Sequence, residues 1–343
     1  MSKIKLGILG ATGMAGREAV KHHCQLKQRG EDYASLEIVT GSPETQGQNM
    51  AEVFTEKELE IAEKVDYVIS ALPSSVAKEV EPELREKGVN VFSNASEFRW
   101  GENIPLMIPE VNPGHIELTD NQEKQGIQVN NPNCTTAGFV PVIKALNDNY
   151  NVENVDIVTF QAISGKGDKA ATQKYAEQIE GNVIDDWDNK ARHNTEEIKS
   201  ETEPQKILGL AEDKEEAKTE GLDISARTAR VPTQYGHLEA LEIKLDEEVD
   251  VEEVENVLNS WSPPEKVKDL PSSPEKPIMV IDKHPEPRQD SFKENGMAIV
   301  VGDLRKIDDK TVSMFSLSHN LRRGATWTAR QSMELYLKEQ NKL

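Results

Sequence analysis

The run Ile4-Lys5-Leu6-Gly7-Ile8-Leu9 is a short apolar strand that leads straight into Gly10-Ala11-Thr12-Gly13-Met14-Ala15-Gly16, after which residues 17–28 carry a helical pattern. Few successions constrain a chain more. Glycines in the turn let the backbone approach an anion, and the unpaired N–H groups and positive dipole end of the next helix face it. A glycine pattern alone is weak and fits a simple tight turn. Strand, glycine turn and helix together fit the start of a dinucleotide-binding unit, with a pyrophosphate resting on the helix. Strands at residues 36–39, 65–71 and 89–93, with a helix through Arg85 between the last two, continue the alternation. The expected class is α/β, a Rossmann-type doubly wound parallel sheet over residues 1–133.

Beyond residue 133 the pattern changes. Residues 155–163, 224–231, 238–245, 278–281, 297–301 and 312–317 read as strands at longer intervals, which suggests a second, mixed sheet in an α+β domain over residues 134–319. Residues 212–220 and 263–277 are acidic or proline-rich and read as surface loops, while residues 324–343 are helical in pattern.

A proline turn, Asn131-Pro132-Asn133, delivers Cys134 to the start of an apolar-periodic segment at residues 139–146. At a helix N-terminus the dipole and unpaired N–H groups favour thiolate over thiol, which makes Cys134 a candidate nucleophile. An unpaired cysteine is more often a small buried apolar residue, so its neighbours decide. Gln161 closes a strand and precedes the turn Ser164-Gly165-Lys166-Gly167. Glu203 and Lys206 are spaced as helical neighbours, which usually marks a solvated ion pair. Arg230 ends a strand, and His237 follows it across Val231-Pro232-Thr233-Gln234-Tyr235-Gly236. Singly these have bland readings as a surface glutamine, a surface pair and a structural histidine. Together they offer a thiolate, an imidazole for proton transfer, a guanidinium fork for a carboxylate and a carboxylate for an amine.

Composition narrows the partners. The 343 residues include 40 basic and 61 acidic side chains, for a net charge of −21, with no basic cluster, so nucleic acid and anionic membrane are not expected partners. The acidic excess is spread along the chain, as on a salt-adapted surface or an ordinary acidic enzyme. Cys24 and Cys134 make no disulfide framework, the start lacks a signal-peptide apolar region, and no apolar run reaches membrane-spanning length. The expectation is a cytoplasmic protein acting on a small-molecule substrate, with no metal.

At these residues the chain resembles aspartate-semialdehyde dehydrogenase, over nearly its whole length and in the manner of the archaeal and fungal branch. The resemblance is carried by Gly10-Ala11-Thr12-Gly13, Ser70-Ala71-Leu72-Pro73, Ser93-Asn94-Ala95-Ser96-Glu97-Phe98-Arg99, Ile108-Pro109-Glu110-Val111-Asn112, Asn131-Pro132-Asn133-Cys134, Glu203 with Lys206, and Arg230-Val231-Pro232 with His237. It implies a Rossmann domain completed by a C-terminal helix at 320–343, a catalytic and dimerising domain over 134–319, and a homodimer or homotetramer. The implied reaction is reductive dephosphorylation of L-aspartyl 4-phosphate to L-aspartate 4-semialdehyde with NADPH, on the route to lysine, threonine, methionine and isoleucine. Cys134 would form a thioester, His237 would be the acid/base catalyst, and Gln161 would orient the acyl group. Arg230 would grip the substrate α-carboxylate and Glu203 its α-ammonium, while Arg99 and Lys206, with Asn133 nearby, would hold phosphate. The cofactor would contact Gly10, Thr12, Gly13, Met14 and Ala15, Ser42 and Thr45 after the second strand, Ser164 and Gly165, and Asn320 at the nicotinamide end.

One departure bears on the cofactor. Relatives that use NADP commonly carry a basic residue after the second strand, where this chain has Glu44. A carboxylate would repel a 2'-phosphate but could accept from a ribose 2'-hydroxyl, so NADP is expected with NAD left open. The alternative within the superfamily is an acyl-CoA reductase acting on malonyl-CoA, against which Glu203 argues because malonyl-CoA offers it no ammonium. A catalytically silent dinucleotide-binding regulator is the alternative of another class.

Overall fold

A computed structural model of the protein describes residues 3–31, 33–38, 64–171, 173–185, 195–209 and 222–343. The chain divides into two compact units, one formed by Met1–Pro132, Asp269–Ser272 and Ala325–Leu343, the other by Asn133–Lys268 and Ser273–Gly324.

In the first unit β1 (Ile4–Leu9), β2 (Ala34–Ile38), β3 (Tyr67–Ser70), β4 (Asn90–Ser93) and β5 (Gln128–Asn130) form a parallel sheet in the order β2-β1-β3-β4-β5. Parallel strands need cover on both faces, and β4 shows how it is given. Val91 lies in the apolar cluster with Leu9, Val68, Val76, Val80 and Leu84, the last three from α2 (Ser74–Glu86). Phe92, the next residue and so on the opposite face, packs on Tyr336 of the C-terminal helix Trp327–Glu339 at 6.1 Å between ring centroids. That helix also meets α1 (Met14–Gln28), where His22 stacks on Trp327 at 3.8 Å. A buried network ties it further: Arg330 Nε donates to the Tyr33 hydroxyl at 2.6 Å, Tyr33 pairs with Glu334, and the Ser272 N–H donates to Glu334 Oε2 at 2.8 Å.

In the second unit β6 (Val152–Gln161), β7 (Asp223–Arg230), β8 (His237–Leu245), β9 (Ile278–Ile281), β10 (Ile299–Lys306) and β11 (Thr311–Ser318) form a mixed sheet in the order β7-β6-β8-β11-β10-β9. Its helices include α3 (Thr136–Asn147), α4 (Gln173–Ile179), α5 (Thr195–Ile207) and α6 (Val251–Ser260). Along β6 the side chains of Val155, Ile157, Thr159 and Gln161 are buried while Asp156 and Val158 are exposed, the alternation of a sheet covered on one face. This phase places Gln161 on the covered side. Register then assembles a site, because Gln161 pairs with Arg230 across β6 and β7, and Phe160 pairs with Leu238, the residue after His237, across β6 and β8.

Two expectations about loops fare differently. Residues 263–277 are not a solvated loop: Glu265–Lys268 is a helical turn, and Val267, Leu270 and Ser272 are buried. A few apolar side chains among prolines and acids suffice to anchor the segment. Residues 212–220 lie outside the described residues. The last helix starts at Trp327 rather than at residue 324, because Arg322–Thr326 forms a wider turn in which Ala325 leaves helical geometry. No described helix is long and apolar enough to cross a membrane.

Candidate active site

In the first unit the glycine turn is built for close approach. Gly10 has φ +68°, and a Cβ there would sit 2.8 Å from the Ala71 carbonyl oxygen; at Gly16 it would sit 2.1 Å from the Gly10 oxygen, so α1 rests directly on the turn. Gly13 caps α1 without a side chain, and the first helical turn, which includes Met14 and Ala15, carries no acidic residue. Open N–H groups with no competing carboxylate fit a dinucleotide pyrophosphate. Thr12 lies within this turn, whereas Ser42, Glu44 and Thr45 fall outside the described residues. Arg99 also belongs to this unit, buried, with Nε donating to the Asn131 carbonyl at 2.8 Å and Nη2 to the Asn94 carbonyl at 3.0 Å.

The second unit brings the remaining candidates together. Cys134 is partly buried two residues before α3, and its Sγ lies 3.1 Å from His237 Nε2. The other ring nitrogen, Nδ1, accepts from the Ala162 N–H at 3.0 Å, which assigns the proton of the neutral imidazole to Nε2, facing sulfur. Burial, and then the Arg230 guanidinium, depress the His237 pKa to about 3, so the ring is neutral at physiological pH. Gln161 is buried and donates to Thr135 Oγ1 at 3.1 Å, beside the cysteine.

Arg230 is buried, with Nη1 donating to the Ala162 carbonyl at 3.1 Å and Nε finding no hydrogen-bond partner among the described residues. An unpaired buried donor costs free energy, and a carboxylate would relieve it. Gly165 makes room for the fork: a Cβ there would lie 2.6 Å from Arg230 Nη1 and 3.3 Å from His237 Cε1. Ser164 is buried and its hydroxyl accepts from Asn320 Nδ2 at 2.9 Å, while Asn320 Oδ1 accepts from the Gly236 N–H at 3.0 Å. Glu203 and Lys206 are buried on α5, not solvated, and Glu203 Oε2 accepts from the Asn133 N–H at 2.6 Å. Burial lowers the Lys206 pKa to about 8.

Two neighbours of the thiol were not anticipated. Gly324 closes over it, since a Cβ there would lie 2.7 Å from Cys134 Cβ. Glu196, also buried on α5, accepts from Asn133 Nδ2 at 2.8 Å. The signal for Glu196 was its position two helical turns before Glu203, on the same face.

Both units match families of known proteins. Residues 5–119 match the family described as semialdehyde dehydrogenase, NAD binding domain, and residues 143–323 match semialdehyde dehydrogenase, dimerisation domain. An aspartate-semialdehyde dehydrogenase of Archaeoglobus fulgidus is 36% identical, covering 98% of this chain and 99% of the relative. A malonyl CoA reductase (NADP) of Metallosphaera sedula is 30% identical over 94% of this chain and 93% of its own. The crystal structure of aspartate semialdehyde dehydrogenase with NADP from Candida albicans superposes with a TM-score of 0.74 at 27% identity, covering the whole of both chains. With both units matched and the relatives spanning its length, the chain belongs to the semialdehyde dehydrogenase family.

Proposed function

We propose that the chain catalyses the NADPH-dependent reductive dephosphorylation of L-aspartyl 4-phosphate to L-aspartate 4-semialdehyde, a step toward lysine, threonine, methionine and isoleucine. The observation that carries this reading is the 3.1 Å approach of Cys134 Sγ to His237 Nε2 beside the guanidinium of Arg230 and the carboxylate of Glu203. The Archaeoglobus fulgidus relative and the NADP-bound Candida albicans structure support the substrate and the cofactor.

In this reading the Cys134 thiolate forms a bond to the acyl carbon, and the carbon–oxygen bond to phosphate breaks with its electron pair leaving on phosphate. A thioester remains on Cys134. Gly10, Gly13 and the first turn of α1 would hold a nicotinamide dinucleotide, which when bound would supply hydride to that carbon. His237 Nε2–H donates to the oxygen as charge develops there, and collapse of the carbon–sulfur bond returns the thiolate and frees the aldehyde. Gln161 orients the acyl group, Arg230 and Glu203 hold the α-carboxylate and α-ammonium, and Arg99, Lys206 and Asn133 serve the phosphate. In this reading a second copy docks on the open face of the mixed sheet, where Val158 is 43% exposed, a reading supported by the match of this unit to a dimerisation domain. Light scattering at the mass of a single chain would remove this last part.

The discriminating assay measures phosphate-dependent reduction of NADP or NAD with L-aspartate semialdehyde, run beside malonyl-CoA with NADPH. Faster turnover of malonyl-CoA would transfer the assignment to the acyl-CoA reductase that the Metallosphaera sedula relative represents. A higher rate with NAD would point to Glu44 at the ribose.

Lys206 gives this reading a pH signature. With a pKa of about 8, its charge, and with it the grip on phosphate, is lost as pH rises through that value. The KM for phosphate should climb about fivefold between pH 8 and pH 9, following the charged fraction. Lys206→Arg, which stays charged, should flatten the profile; a slope that survives this change would take Lys206 out of the phosphate site.

A further inference from the structure

Asn133 is gripped in four directions. Its N–H donates to Glu203 Oε2 at 2.6 Å, its carbonyl accepts from the Ala137 N–H at 3.0 Å, its Oδ1 accepts from the Thr135 N–H at 3.0 Å, and its Nδ2 donates to Glu196 Oε2 at 2.8 Å. Cys134 lies between the two peptides so clamped. A carboxamide can present either its oxygen or its nitrogen to a neighbour, but an ionised carboxylate only accepts. Glu196 therefore dictates which way Asn133 faces. With Nδ2 drawn to Glu196, Oδ1 is left for the Thr135 N–H, and the backbone on both sides of the thiol is set.

Glu196 is equipped for this. Burial alone would raise its carboxyl, yet Lys199, whose ammonium lies 2.8 Å away, and the Arg230 guanidinium hold it down to about 2. It stays a carboxylate at every pH at which the protein would work. Glu196 and Glu203 share one face of α5, so a single rigid helix holds Asn133 by both its side chain and its main chain.

We propose that Glu196 is a positioning residue of the reaction, a buried carboxylate that orients the Asn133 carboxamide and through it the backbone carrying the Cys134 thiol. The inference rests on Cys134 being the nucleophile. Glu196 bonds Asn133 and no group of the substrate, so the larger part of its effect falls on the chemical step; its charge also faces Arg230, which leaves a smaller effect on substrate binding.

The test compares the full-length wild type with E196A, E196Q, N133A and the E196A/N133A double variant. It reads kcat and KM for L-aspartate semialdehyde and the rate at which iodoacetamide alkylates Cys134 at neutral pH. Since a displacement of about 1 Å costs roughly 100-fold, E196A should lose about 30-fold to 100-fold in kcat with KM within about threefold. Its alkylation should slow by about tenfold as the thiol leaves its imidazole. E196Q keeps the volume but not the acceptor-only character, and should lose about fivefold in both readouts. The double variant should be no worse than N133A, because the two side chains act as one unit. Losses that multiply in the double variant, a loss confined to KM, or an E196Q indistinguishable from wild type would overturn the proposal; E196Q carries the test even if E196A does not fold. Wild type that stays active after Cys134 is alkylated would instead defeat the nucleophile assignment itself.

Discussion

Cys134→Ser should lower turnover on the order of 10⁴-fold while leaving NADPH affinity within about twofold of wild type. Serine matches the shape of cysteine, but its hydroxyl is not ionised near neutral pH, and a neutral imidazole is a poor base for it. The ring is tied at Nδ1 to the Ala162 N–H and depressed to a pKa of about 3, so taking up a proton there would cost a backbone hydrogen bond as well as burial of charge. Nothing in the site therefore compensates for a weaker nucleophile. Stopped-flow or steady-state turnover beside fluorescence titration of NADPH separates the two expectations. Turnover within tenfold of wild type would remove Cys134 from the chemistry.

Arg230→Lys should cost about 100-fold in kcat/KM for L-aspartate semialdehyde, with losses in both kcat and KM. The guanidinium bonds the Ala162 carbonyl through Nη1 while Nε meets no partner among the described residues, so one planar group anchors itself and still presents a donor. An ammonium on a flexible stem can do one or the other. The space beside it is already used, because Gly165 lacks a Cβ where one would meet Nη1 at 2.6 Å. Dinucleotide affinity should hardly change. An unaltered rate with the semialdehyde, or weakened NADP binding ahead of it, would favour an acyl-CoA substrate instead.

The parts of the fold most legible in the sequence are those where one local rule speaks without competition. Gly10 and Gly13 between an apolar strand and a helix announce the first unit, and period-2 alternation announces β6, β8 and β11. Strand β5 was missed because three residues, Gln128 to Asn130, are too few to show a period. The helices α4 and α6 were missed because acidic and polar residues dominate them and their apolar anchors are sparse, Tyr175 and Ile179 in one, Val254 and Leu258 in the other. At the site, residue types were readable and environments were not. Gln161 and the Glu203–Lys206 pair have the ordinary chemistry of surface residues, and only the register of β6 with β7 and the packing of α5 bury them. Glu196 carried a spacing signal, but its partner is a carboxamide in another element, which no local pattern reveals.

The C-terminal helix has a consequence for how this chain comes into being. Residues 1–132 are synthesised before the second unit, yet Phe92, His22 and Tyr33 wait for Tyr336, Trp327 and Glu334, which follow it. Part of one face of the parallel sheet, around Phe92, stays uncovered while the intervening second unit emerges, so the earlier-made unit is completed after it. A free chain cut after Gly324 should then be protease-sensitive within residues 1–132 while residues 133–324 stay protected, an inversion of the usual vectorial order.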